Sequence, residues 1–174
     1  MKSDTANADD INELDNCYNL DGHFQMNKMT MNKVGQITSD KLRTPTEDER
    51  ILRAKLIFEE AMETIEALGV NVDYDVTPSQ SENPYDITVL FNDAGEANYN
   101  PKEVLDGVCD LAVVANGTLL CCGLHDIFEE ALKRIDQNNW SKVRDGVITD
   151  ENGKYKKPPG YKPVVLDDLI ERVT

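Results

Sequence analysis

Leu52-Arg53-Ala54-Lys55-Leu56-Ile57-Phe58-Glu59-Glu60-Ala61-Met62-Glu63 is the stretch on which the reading of this chain turns. On a helix, Glu59 and Glu63 stack at i, i+4, and Glu60 and Glu63 at i, i+3. Like charges so placed repel and cost helix stability unless something cationic sits among them. Leu52 and Leu56 fall on the same stripe as Glu59 and Glu63. A solvated acidic face would not continue into leucines, so the pattern predicts carboxylates directed into a seam between helices, where unpaired charge is expensive. A metal ion resolves that conflict.

Working outward, Thr46 and Glu49 form a capping box, and Glu47 and Asp48 suit the positive start of the helix. Ile51, Ala54, Phe58, Ala61, Met62, Ile65 and Leu68 give one broad apolar face, which Gly69 ends. A second long helix starts with Asn100 as cap and Pro101 in the first position, and runs to about Cys122 before Gly123. Its main apolar face reads Val104, Val108, Leu111, Ala115, Leu119 and Cys122. A second stripe reads Glu103, Asp106, Asp110, Val113, Val114, Gly117 and Cys121, so here too acids lie in line with apolar residues. Apolar nearly all round in its second half, this helix is expected inside a bundle or a subunit interface. Two such helices facing each other make an oxygen-rich cage, which suits Mg²⁺ or Mn²⁺ rather than zinc. Spacing alone does not separate that cage from two salt-bridged surface helices.

Between these helices, Pro78, Pro84 and Gly95 punctuate a segment in which Asp86–Phe91 has strand character and Val70–Val76 could be its partner. This predicts a small hairpin excursion that covers or shapes the site. A short helix is expected from about Phe24 to Val34, ended by Gly35, and a third long one capped by Asp126 with Glu129. Val147–Thr149 and Lys154–Lys156 flank an Asn152-Gly153 turn, and Pro158, Pro159 and Pro163 make the tail extended. The expected fold is all-α, a helical bundle with a small β-hairpin excursion. Residues 1–23 are expected to be a flexible acidic segment and 24–174 a single domain.

A formal net charge of −15 argues against nucleic acid or an anionic membrane as the main partner. An anionic small molecule stays possible, because a bound divalent cation reverses the local field. No uninterrupted apolar run approaches the roughly 20 residues of a membrane span, and the N-terminus lacks a secretory layout. Cys17, Cys109, Cys121 and Cys122 have no zinc-ligand or CxxC spacing, which points to buried reduced thiols at 121 and 122 and a cytoplasmic setting. In so acidic a chain Asn139, Ser141 and Lys142, with Lys154, Lys156 and Lys157 after them, stand out as an anion-binding strip. The plainer reading is that those lysines keep a hairpin soluble. His23 and His125 carry no motif, and neither a nucleophilic triad nor a phosphate-binding glycine loop is present.

Glu59-Glu60-x-x-Glu63, an insert, then Asp106-Gly-Val-Cys-Asp110-Leu resembles the EExxE…ExxD signature of the all-α nucleoside triphosphate pyrophosphatases. That superfamily includes MazG-like enzymes, dimeric dUTPases and phosphoribosyl-ATP pyrophosphohydrolases, and the likeness is greatest to the phosphoribosyl-ATP-pyrophosphohydrolase-like branch of phage type. It continues through Gly117-Thr118, Asn139-x-Ser141-Lys142 and Gly153-Lys154-x-x-Lys157-Pro158-x-Gly160-Tyr161. The chain departs where the last motif usually has Glu three before Asp: Gly107 stands there, and Asp106 lies four before Asp110. The resemblance implies Mg²⁺-dependent hydrolysis of a nucleoside triphosphate between its α and β phosphates, by a homodimer or homotetramer. It makes Glu60, Glu63 and Asp110 metal ligands with Asp106 assisting, and gives Glu59 the attacking water. It makes Asn139, Ser141 and Lys142 substrate-binding, with Lys154 and Lys157 as further phosphate contacts. Phosphoribosyl-ATP hydrolysis in histidine synthesis, or a non-catalytic helical dimer that binds a nucleotide or partner, are the other readings.

Overall fold

The structure, a computed structural model, describes residues 20–78, 85–142, 149–150, 156–158 and 160–174. The acidic N-terminal segment up to residue 19, most of the expected 147–156 hairpin, Cys17 and Lys154 lie outside the described residues. The elements in order are α1 (Leu20–Lys33), α2 (Glu47–Ala67), β1 (Val70–Pro78), β2 (Tyr85–Asp93), a 3₁₀ turn (Glu96–Asn98), α3 (Pro101–Cys122), α4 (His125–Ser141) and α5 (Asp167–Val173). The chain is mostly helical with one two-stranded antiparallel hairpin. It divides into two compact units, Thr46–Ala115 and the remainder, with the division falling inside α3.

In the 46–115 unit the caps act as their sequence demands. Thr46 N donates to Glu49 Oε2 at 2.6 Å and Glu49 N to Thr46 Oγ1 at 3.3 Å, which starts α2. Gly69 ends it with φ +75°. At the start of α3, Asn100 Oδ1 accepts from Lys102 N at 3.2 Å and from Glu103 N at 3.3 Å. The strands pair Val72 with Phe91 and Tyr74 with Val89. Partners opposite each other share a face, so Val72, Tyr74, Val76, Val89 and Phe91 form one apolar side of the ribbon. Asn71, Asp73 and Asp75 point to the other side.

Gly107 is buried against Thr64: a Cβ there would stand 2.5 Å from Thr64 Oγ1 and 3.3 Å from Thr64 Cα. The missing side chain is what lets α3 approach α2.

In the other unit, Phe24 and Met31 of α1 pack with Leu120 and Cys121 of α3, flanked by Leu20, Leu119 and Phe128. Phe24 meets Phe128 edge-on, with centroids 5.9 Å apart. The last carbonyls of α3 would be orphaned by the helix end. Ser39 N donates to Leu120 O at 2.9 Å and Arg43 N to Cys122 O at 3.1 Å, so the segment after α1 satisfies them. That segment runs so close that a side chain on Gly123 would strike the Lys41 carbonyl. Arg134 holds α5 by a fork of two bonds to Asp168, 2.6 and 2.9 Å.

Four expectations need correction. α4 begins at His125, and its cap position is Leu124 with no side-chain cap bond. The chain reverses at once through Gly123 (φ +70°), which leaves Asp126 inside the first turn. On α3 the buried residues include Val114, Gly117, Leu120 and Cys121, while Val108 of the expected main face is 52% exposed. A helix apolar all round does not announce which stripe is covered. Taken as a helix, Pro101–Cys122 is long and apolar enough to cross a bilayer by length and composition, with mean hydropathy 1.6. Counting uninterrupted apolar residues missed this, and core helices of globular proteins pass the same test. Finally, α5 replaces the end of the expected extended tail.

Gly107→Ala is expected to cost about 1–3 kcal/mol, the usual scale of overpacking. Thermal unfolding of the double-mutant cycle with Thr64→Ala checks it: strict additivity would show that the two residues do not meet.

Candidate functional site

The close approach of Thr64 and Gly107 falls where the acids are. On α2 Glu60 and Glu63 precede Thr64 within a turn, and on α3 Asp106 and Asp110 flank Gly107. Thr64 Oγ1 also donates to the Glu60 carbonyl at 2.7 Å, so its side chain is held in place at the crossing. Glu60 is half-buried; Glu59, Glu63, Asp106 and Asp110 are exposed. The expected seam is therefore a cluster at the surface of this unit. Leu52, on the same stripe, is also exposed.

Four of the carboxylates act on the fifth, Glu60. The Glu60 carboxyl is pushed above the ordinary glutamate range, first by desolvation and then by the charges of Asp110, Glu63, Glu59 and Asp106. Asp110, from the facing helix, outweighs the two glutamates on α2. Among the described residues none of the five is paired with a lysine or arginine. By donor chemistry the cluster fits a hard divalent cation: oxygen only, anionic, and without internal counter-charge. By convergence it does not yet fit, since among the described residues no group of three or more such side chains is placed to hold an ion.

Glu63 also borders a hollow of about 380 Å³ between the last turns of α2 and the start of β1. Met62, Val70 and Val72 are its half-buried apolar part, and Glu66, Asn71 and Asp73 its exposed polar part.

In the other unit the basic strip is assembled around Tyr161. Lys142 Nζ and Lys157 Nζ lie 5.3 and 5.4 Å from the centre of its ring. Tyr161 Oη donates to Asn138 Oδ1 at 2.6 Å, and Asn138 Nδ2 donates to Lys162 O at 2.8 Å. Ser141 Oγ donates to Asn138 O at 2.7 Å, and Lys142 Nζ to Asn139 Oδ1 at 2.8 Å. Asn139, Ser141, Lys142 and Lys157 thus come together. Asn138 and Tyr161, which hold them, were not singled out as site residues. Their signal in sequence is weak, because the partners lie 23 residues apart.

No family model matches the chain, and no curated protein matches it.

The raised Glu60 carboxyl fixes the sign of a pH effect. Because its folded value lies above its unfolded one, the folded state holds the extra proton between the two, and stability falls as pH rises through that window. Without divalent ions, Glu60→Gln is expected to melt higher than the wild type at pH 7. The gain should shrink as pH falls toward the ordinary glutamate range. Mg²⁺ should raise the melting temperature of the wild type at pH 7, and that of Glu60→Gln less. A pH-independent difference would mean that the carboxylates do not crowd Glu60.

Proposed function

We propose that the chain is a divalent-cation-dependent nucleoside triphosphate pyrophosphohydrolase of the all-α type, cleaving between the α and β phosphates. The observation that carries this reading is the gathering of four carboxylates around Glu60 near the Thr64–Gly107 crossing, with none of the five paired to a lysine or arginine among the described residues. Gly107 supports it further. Where the resembling enzymes usually have Glu, a side chain would strike Thr64, and Asp106 supplies a carboxylate one residue earlier.

In this reading Glu60, Glu63 and Asp110 would hold Mg²⁺ or Mn²⁺, with Asp106 assisting. When bound, the ion supplies polarisation of the phosphoryl oxygens and offsets charge that develops on them. Glu59 orients a water toward the α phosphorus and accepts its proton. The water oxygen forms the new P–O bond, and the α–β bridging oxygen leaves with pyrophosphate. Asn139, Ser141 and Lys142 would contact the substrate, with Lys154 and Lys157 as further phosphate contacts. The free thiols at Cys109, Cys121 and Cys122 accord with a reducing, cytoplasmic compartment.

Glu63→Gln and Asp110→Asn are each expected to lose Mg²⁺-dependent pyrophosphate release by roughly 100-fold or more, the scale of losing a group that stabilises phosphoryl charge. Retention by both overturns the metal assignment. Phosphoribosyl-ATP in the same assay separates that substrate from plain nucleotides. An intact chain that releases no pyrophosphate from any of them is a binding protein instead.

Self-association is part of the proposal. Leu105, Val108 and Val113 on α3 are exposed, leaving an apolar helix face uncovered in the single chain. A homodimer or homotetramer would cover it, and sedimentation should show Leu105→Lys with Val108→Glu shifting the chain toward monomer.

A further inference from the structure

We infer that the hollow beside Glu63 is the base subsite of the proposed enzyme, and that Asp73 selects nucleotides whose base carries an exocyclic amino group. The inference rests on the pyrophosphohydrolase reading but makes a separate claim. Its first support is position. Glu63 belongs both to the carboxylate cluster and to the edge of the hollow, so a nucleotide whose phosphates lie at the cluster has its nucleoside end within reach. Its second support is size. About 380 Å³ lies within the range of small-molecule sites, toward the lower end.

The chemistry of the walls narrows the ligand. The half-buried part, Met62, Val70 and Val72, offers apolar surface and a polarisable thioether to a flat ring. Residues from both faces of β1 border the hollow. Phosphate is unsuited to the hollow itself, which Glu63, Glu66 and Asp73 make negative. The neutral base suits it, provided that it brings N–H donors.

Asp73 is placed to take one. Asn92 Nδ2 donates to Asp73 Oδ2 at 2.7 Å across the hairpin, which fixes the carboxylate and leaves Oδ1 as an acceptor. A carboxylate only accepts, so it binds an amino group and repels a carbonyl oxygen in the same place. Cytosine, adenine and guanine carry such an amino group; thymine and uracil do not. Asn71 beside it both donates and accepts, so it tolerates either kind of base.

Two measurements test this. With Mg²⁺, kcat/KM for pyrophosphate release is expected to favour dCTP, dATP and dGTP over dTTP and dUTP. Asp73→Asn should shrink that preference about 10-fold or more, since one charge-assisted hydrogen bond is lost and a donor replaces it. Without metal, deoxycytidine should shift the amide resonances of Asn71, Val72 and Asp73, and thymidine should not. An unaltered base preference in an active Asp73→Asn enzyme overturns the inference, as does an equal loss for all nucleotides. So does wild-type turnover without amide shifts. Amide shifts without any turnover would leave the subsite standing and remove the enzymatic reading, so the two failures are distinguishable.

Discussion

One steric permission underlies the 46–115 unit: α2 and α3 cross where Gly107 has no side chain and Thr64 fills the space. Helices whose facing residues are both larger sit further apart, commonly 8–10 Å between axes. Here the close crossing falls beside two pairs of acids, and the electrostatic cost of bringing them together follows directly. Glu60 resists ionisation, first through its desolvation and then through the charges around it. A unit selected for stability alone would place a lysine or arginine among those carboxylates, or an apolar pair. Among the described residues no lysine or arginine is paired with any of them.

The second unit uses polar bonds to assemble its basic strip. Tyr161 stands against two ammonium groups while its hydroxyl is tied to Asn138, so cations that would otherwise move apart are kept near one ring. In a chain of net charge −15 such a concentration of positive charge is exceptional.

Local signals were legible in the sequence. The Thr46–Glu49 box, the Asn100 cap and the glycine stops at 69 and 123 encode helix ends within a few residues, and alternation encodes the hairpin. The acidic stripes were legible for the same reason, since spacing along one helix is a local property. Features that depend on distant partners were not. The start of α4 is set by the reversal at Gly123, and α5 is held by Arg134, 34 residues earlier. Which side of α3 is covered depends on Phe24 and Met31, far away in the chain. Gly107 read as a departure from a motif; only the position of Thr64 explains it. The hollow at β1 needs two elements to exist at all.

The hairpin carries a further consequence. Among the described residues no third strand joins either edge of the two-stranded ribbon, which has an exposed apolar side bearing Tyr74, Val76, Val89 and Phe91. Such ribbons recruit other strands unless charge opposes them. Asp73, Asp75 and Asp93 act as gatekeepers along it. This protection lasts only while the chain is strongly anionic, and it fades toward the isoelectric point near 4.4. The acidity that would draw a metal ion thus also keeps the hairpin from strand-to-strand aggregation, so the chain's colloidal behaviour and its chemistry depend on the same pH range.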